Sequence, residues 1–225
     1  MTSDTPRKHL IYFGDPMCSW CYGFEPVLRA LSNHFGDRLP IGIVVGGLRA
    51  GTQRAMTLTE KDEVRKHWDH VHEASGQPFD YAFFDRGRFV YDTEPACRAV
   101  VVVRRITPDG GLGYFADLQR AFYAKGQNIT KPEILADIAS HYGLTADEFL
   151  TAFDAPETRE ETIRDFLMAQ ENGIQGFPTL IAGSVTQGYQ VICHGYRPID
   201  GLIEGLELWL DGHVPDNDNV KPVRH

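Results

Sequence analysis

The sequence predicts an α/β domain whose second and third strands are separated by an inserted helical subdomain. Three observations predict it. A strand–helix–strand pattern fills residues 9–50, a stretch over 51–176 carries repeated helix-start signals, and a strand, a hairpin partner and an amphipathic helix follow over 177–212. With 225 residues the chain can bury one large core, or a core domain carrying such an insertion.

The elements follow in order. His9–Gly14 (HLIYFG) is short, apolar and aromatic, the pattern of a buried strand. Phe24, Val27, Leu28, Leu31 and Phe35 then recur at helical spacing up to Gly36, with Pro26 inside the helix and expected to kink it. Leu39–Leu48 (LPIGIVVGGL) reads as a second buried strand, β-branched and closed by glycines. Strand, helix, strand in this order implies a right-handed crossover and a parallel pair. In the insertion, capping boxes mark helix starts at Thr57 with Glu60, Thr130 with Glu133, Thr145 with Glu148 and Thr158 with Glu161. Further helices are predicted over Glu94–Arg105, capped by Thr93 with Pro95 in the first turn, and over Tyr114–Ala124. A strand starting near Thr179, a partner within QVICHGYRP, and a helix with Leu202, Leu206 and Leu210 inward complete the core. Residues 213–225 are almost without apolar side chains and predict a mobile tail.

Between the first strand and its helix lies GDPMCSWCYGF, which sets Cys18 and Cys21 three residues apart. Among four cysteines in this length such a pair arises by chance only about 0.07 times. Four cysteines are too few for a disulfide scaffold. A structural zinc site needs two more ligands, and Cys97 and Cys193 stand alone. The redox reading has a physical cause for each part. Cys18 falls at the end of a strand and the start of a helix, where unpaired N–H groups and the dipole favour a thiolate, so it is expected to be the exposed, attacking sulfur. Cys21, one turn further on the same face, can close a disulfide with it and act as the resolving thiol. Ser19 and Trp20 between them bring no charge. Asp15 and Glu25 flank the pair as carboxylates that either relay a proton between the thiols or merely cap and meet solvent.

Other residues invite less. His67, His70 and His72, with Glu63, have spacing that a metal can use, but a solvated helix face beside Trp68 explains them, and no metal or cofactor is predicted. Cys97 and Cys193 read as core thiols. No Gly-rich phosphate loop, zincin motif or nucleophile elbow is present. The formal charge of −9 disfavours nucleic acid and anionic membranes as partners. No apolar stretch approaches the ~20 residues of a membrane helix. The apolar run after Lys8 is too short for a secretory signal, so a reducing cytoplasm is the expected compartment, with the cysteines resting as thiols.

A strand ending in CxxC, a helix carrying a proline, and a later Gly176-Phe177-Pro178-Thr179 before an apolar strand resemble the thioredoxin superfamily. The helical insertion between the second and third strands resembles its DsbA-like branch. DPMCSWCYGFEP, with GQPF at Gly76–Phe79 and TEPACRA at Thr93–Ala99, is most similar to the FrnE-type members, predicted protein disulfide isomerases and oxidoreductases. The resemblance spans His9 to Leu210. It implies a thioredoxin fold, a cis Pro178 packed beside Cys18 and Cys21, and a Phe177 whose backbone faces an extended substrate. It also implies that Ser19, Trp20, Phe177 and Thr179 line the substrate site, and that the partners are protein thiols and disulfides or glutathione. The sequence lacks the histidine between the cysteines that goes with the strong periplasmic oxidants, which turns the expectation toward reductase or isomerase work. Two rivals remain. Kappa-class glutathione transferases and 2-hydroxychromene-2-carboxylate isomerases resemble the same fold but generally carry serine where Cys18 stands. A non-catalytic metal- or partner-binding module would hold the pair without exchanging it.

Overall fold

The computed structural model describes residues 7–212, so the tail expected over 213–225 lies outside the described residues. β1 (His9–Gly14) pairs in parallel with β2 (Ile41–Val45) and antiparallel with β3 (Thr179–Ser184). β4 (Gly188–His194) pairs antiparallel with β3, giving the order β2-β1-β3-β4. The crossover between the parallel strands is α1 (Ser19–Phe35). β2 is shorter than its apolar run: Gly46 still donates to Gly14 O at 2.8 Å, and Gly46 and Gly47 then pass close against the rings of Phe177 and Phe166.

Alternation along β1 sets the layers. Leu10 and Tyr12 enter the main core with α1, while Phe13 joins Val44, Ile181 and Ala169 in a smaller cluster on the other face. Ala169 belongs to α7 (Pro156–Glu171), so helices cover the sheet on both sides. α8 (Leu202–Leu210) closes the main core with Leu202 and Leu206 buried and Leu210 half-buried. α1 starts at Ser19, a full turn before the first apolar repeat at Phe24, with Pro26 inside it.

Between β2 and β3 the chain forms α2 (Leu58–Ser75), α3 (Glu94–Ile106), α4 (Gly111–Gln119), α5 (Pro132–Ala139), α6 (Ala146–Asp154) and α7. The expected helix at Tyr114–Ala124 divides into α4 and a π-turn over Arg120–Ala124. The capping boxes of Thr57 with Glu60 and Thr145 with Glu148 are both formed in full. Those at Thr130 and Thr158 are not. Pro132 takes the first turn of α5 and makes Lys131 its cap, while Thr130 turns its N–H to Asn128 Oδ1. Pro156 likewise starts α7 two residues before Thr158, whose buried hydroxyl accepts from Arg105 at 2.9 Å while Glu161 pairs with Arg104 at 2.7 Å. Thr93 precedes α3 but its side chain does not cap it. Its hydroxyl serves the site described below.

Apolar residues from both parts merge into one cluster. In α2, Trp68 is fully buried against Phe79, Phe83, Phe84, Phe122 and Tyr123, at ring separations of 4.7–6.2 Å. His67, His70 and His72 lie exposed on that helix. At the end of β2, Asp165 of α7 accepts the Val45 N–H at 3.0 Å and pairs with Arg104 of α3 at 2.7 Å, tying the insertion to the sheet.

Candidate functional site

The site lies where the chain leaves the C-terminal ends of the parallel strands, the usual position for ligands in such sheets. After β1, Asp15 to Met17 turn the chain, and Cys18 becomes the N-cap of α1 with extended φ −93° and ψ 118°. Its N–H donates to Asp15 O at 3.0 Å, and its carbonyl accepts the first helical bond from Tyr22 at 3.1 Å. No acidic residue occupies the first turn, so the free N–H groups face the sulfur without competition.

Cys18 and Cys21 are both free thiols, three residues apart across the start of α1. Their surroundings differ. Cys21 is fully buried, and burial pushes its thiol well above the ordinary range. Cys18 was expected to be exposed and is only 6% accessible, because the Phe177 loop lies over it. Its Sγ donates to Phe177 O at 3.6 Å. The next peptide bond, Phe177–Pro178, is cis. Cys18 nonetheless remains the more accessible sulfur of the pair.

Thr179, expected to touch substrate, is fully buried, and its hydroxyl donates to Gly176 O at 2.8 Å to close the turn. Phe177 lies over Gly46, where a side chain would collide with its ring. Ser19 and Trp20 are half-buried, and the Trp20 ring stands 5.7 Å from that of Tyr196. The adjoining wall comes from the Gly76–Phe79 segment, where Tyr22 donates to Pro78 O at 3.1 Å and Gln77 to Tyr22 O at 3.1 Å.

The two flanking carboxylates separate clearly. Glu25 faces the cleft between α1 and α4 and pairs with Arg29 at 3.3 Å. Asp15 is fully buried at the base of the site. It accepts N–H groups from Met17 at 2.8 Å and Leu48 at 2.7 Å, the Thr93 hydroxyl, and the Cys97 thiol at 3.4 Å. Burial raises its pKa, and these donors act in the opposite direction. Cys97 is thus a buried thiol with a polar contact to Asp15, while Cys193 is a buried thiol on β4 pushed up by burial to about 11.

Sequence reasoning missed several contributors. Tyr12 lies buried under α1, its ring stacked on that of Phe24 at 6.0 Å. Tyr91 donates to Met17 O at 2.7 Å and touches Tyr123. Alternation on β1 was the available signal for Tyr12; nothing local pointed to Tyr91 or Thr93. Beside the site, a cavity of about 520 Å³ is lined by Gly47–Ala50, Arg54, Met56 and Tyr91. Among the described residues no cluster of three or more His, Cys, Asp or Glu stands ready for a metal.

This arrangement belongs to a known class. Residues 9–206 match the DSBA-like thioredoxin domain, and the chain belongs to that family. A solved structure of a candidate protein disulfide isomerase from Nitrosomonas europaea is 36% identical, with a TM-score of 0.85 over 92% of this chain and 100% of that one. The cytosolic disulfide reductase DsbM from Pseudomonas aeruginosa is 28% identical, with a TM-score of 0.74 over 90% of this chain and 98% of its own; a second DsbM structure contains GSH. The ClpXP adapter protein SpxH of Halalkalibacterium halodurans is 24% identical over 97% of this chain and 73% of its own length. Family and neighbours together support thiol–disulfide oxidoreductase chemistry.

Proposed function

We propose that the protein exchanges disulfides with protein substrates through Cys18 and Cys21 beside Pro178, in the cytosol and in the reducing or isomerising direction. Cys18 thiolate attacks a substrate disulfide, one substrate sulfur leaves as a thiolate, and a mixed disulfide forms. Cys21 then gives up its proton to that leaving sulfur and attacks Cys18 Sγ. The second substrate sulfur departs, the substrate is reduced, and Cys18–Cys21 is oxidised. Two glutathione molecules, leaving as glutathione disulfide, or one dithiol, leaving as its own disulfide, return the pair to thiols; the DsbM structure with GSH favours glutathione for this role.

One observation carries the reading most. The more accessible sulfur caps the helix and touches the carbonyl before Pro178, while its fully buried partner sits one turn deeper. In this reading Phe177 presents its backbone to an extended substrate, Trp20 flanks the groove, and Asp15 holds the loop that carries Cys18. Cys21→Ser is expected to accumulate reducible adducts on non-reducing gels, because the mixed disulfide has lost its resolving thiol. Cys18→Ser should show none, and equal adducts from both variants would reverse or remove the assignment. The SpxH relatives favour a second reading, an adapter that binds a protein partner without exchange. Partner binding undiminished in the double Cys18→Ser/Cys21→Ser variant, with no turnover in the parent protein, would select it.

A further inference from the structure

The proposed chemistry leaves the cavity beside the thiols without a role. The geometry points to that cavity as the seat of a carboxylate carried by the disulfide that Cys18 attacks, held there by the Arg49 guanidinium. The inference rests on the proposed function and names the class of substrate it favours: a disulfide with an acidic group close to its sulfur.

Placement is the first observation. The cavity of about 520 Å³ has walls bonded to the turn that delivers Cys18. Tyr91 donates to Met17 O at 2.7 Å, one residue before the sulfur, and the Leu48 N–H donates to Asp15 at 2.7 Å. At its edge Gly47 follows Gly46, which lies against the Phe177 ring, and the Phe177 carbonyl meets Cys18 Sγ at 3.6 Å. The cavity therefore adjoins the residues that surround the attacking sulfur. An extended substrate advances about 3.3 Å per residue, so about one or two residues beyond its cysteine bring a side chain or terminus to this space.

Charge is the second observation. Arg49 makes no ion pair among the described residues, although the chain has 31 acidic side chains against 22 lysines and arginines. Its guanidinium lies over the Tyr91 ring, 5.0 Å from the centroid. Its backbone is fixed as well: the N–H donates to the Thr93 hydroxyl at 3.1 Å, and the carbonyl accepts the Thr52 hydroxyl at 2.7 Å. The cation is thus placed before a ligand arrives, which lowers the ordering cost of binding. Carboxylates on the surrounding segments are already engaged. Glu60 pairs with Arg54 at 2.9 Å, Asp92 accepts the Gly51 and Glu94 N–H groups at 2.8 and 3.1 Å, and Asp15 accepts from Met17, Leu48 and Cys97. What the cavity offers unpaired is one planar guanidinium fork, which matches a carboxylate through two parallel bonds. Arg49 orients the disulfide and transfers nothing; every bond made or broken stays at Cys18, Cys21 and the substrate sulfurs.

The test mixes the reduced full chain with disulfides of different charge, quenches with acid at intervals and reads the Cys18 adduct by intact mass. Oxidised glutathione is anionic through its terminal carboxylates, hydroxyethyl disulfide is neutral and cystamine is cationic. A disulfide-linked peptide with blocked ends and a glutamate beside its cysteine carries the carboxylate on a side chain. Each rate is divided by that of hydroxyethyl disulfide in the same variant, which cancels changes in folding or in the Cys18 thiol. Arg49→Ala should lower this ratio about tenfold for at least one of the anionic disulfides. Arg49→Glu should lower it further, while the cystamine ratio holds or rises. Loss with oxidised glutathione alone assigns the cavity to a terminal carboxylate of a small peptide. Loss with the acidic peptide alone assigns it to an acidic side chain of a protein substrate. Anionic ratios unchanged by both substitutions, or a cystamine ratio that falls with them, overturn the site while leaving exchange intact. Absence of any adduct in the parent protein with all of these disulfides overturns the proposed function itself, and this inference with it.

Discussion

The helical insertion and the sheet that carries the thiols are built from opposite kinds of residue. In the insertion, Trp68 is enclosed by aromatic rings and the consecutive residues Ala96 to Val103 of α3 are all buried. At the end of the sheet, backbone approaches side chain over Gly14, Gly46 and Gly47, where an added Cβ would meet Tyr12, Phe177 and Phe166. The difference teaches a division of labour. Bulk supplies rigidity at a distance, and its absence lets a loop and a thiol pair come close. The two parts nevertheless share one apolar cluster.

Removing bulk should produce the largest effect. Trp68→Ala is expected to cost about 3–5 kcal/mol of unfolding free energy, read from urea denaturation. Its folded fraction should keep exchange at Cys18 within about twofold, since the rings of Phe79 and Tyr123 stand between Trp68 and Tyr22 of the CxxC helix. A matching collapse of exchange would break the division. Adding bulk at the site should do the reverse. Gly46→Val drives a side chain into the Phe177 ring. It should cost a smaller 1–3 kcal/mol or so by overpacking. Exchange should fall about tenfold as the Phe177 carbonyl leaves Cys18. Alkylation of reduced protein followed by mass spectrometry reads that loss.

The smallest effect belongs to the rim, where neither rule operates. Glu207 of α8 accepts from Arg38 at 2.6 Å and His34 at 2.7 Å, and these bonds lower its pKa to about 2. A carboxylate depressed on folding contributes stability above its ordinary value of 4.5, and that contribution fades as the pH falls toward 2. Glu207→Gln should therefore melt slightly lower than the parent at pH 7 and alongside it near pH 2, by thermal denaturation across that range. The exposed setting keeps the shift small.

Much of the fold was legible because its signals are local. HLIYFG, the paired cysteines and GFPT before an apolar strand each declare themselves within a few residues, and β1, α1 and β3 formed where those signals stand. The capping boxes divide instructively. Thr57 and Thr145 cap because nothing competes, whereas Pro132 and Pro156 moved two other helix starts by fixing φ at the first turn. α1 starts at Ser19, so Cys18 stands at its N-terminus and Cys21 in its first turn, as the CxxC reading expected. At the site, Cys18, Cys21, Phe177 and Pro178 were readable and came together. Thr179 was misjudged because its hydroxyl is satisfied three residues back along its own turn. Asp15 was named, yet its partners Leu48, Thr93 and Cys97 were not, since no periodicity links residues that meet only after the insertion folds.

Those same partners make the site a checkpoint on the chain's own assembly. Asp15 is satisfied only when the turn after β2 and the first turn of α3 have both arrived, 33 and 82 residues further along. Cys18 meets the Phe177 carbonyl only when a loop of 159 residues has closed. Loop closure on that scale is late and cooperative, so a chain arrested partway carries the CxxC but not the frame that directs it. Its sulfurs would then be two ordinary thiols. A thiol–disulfide oxidoreductase is thereby kept from acting until its own last long-range contact is made.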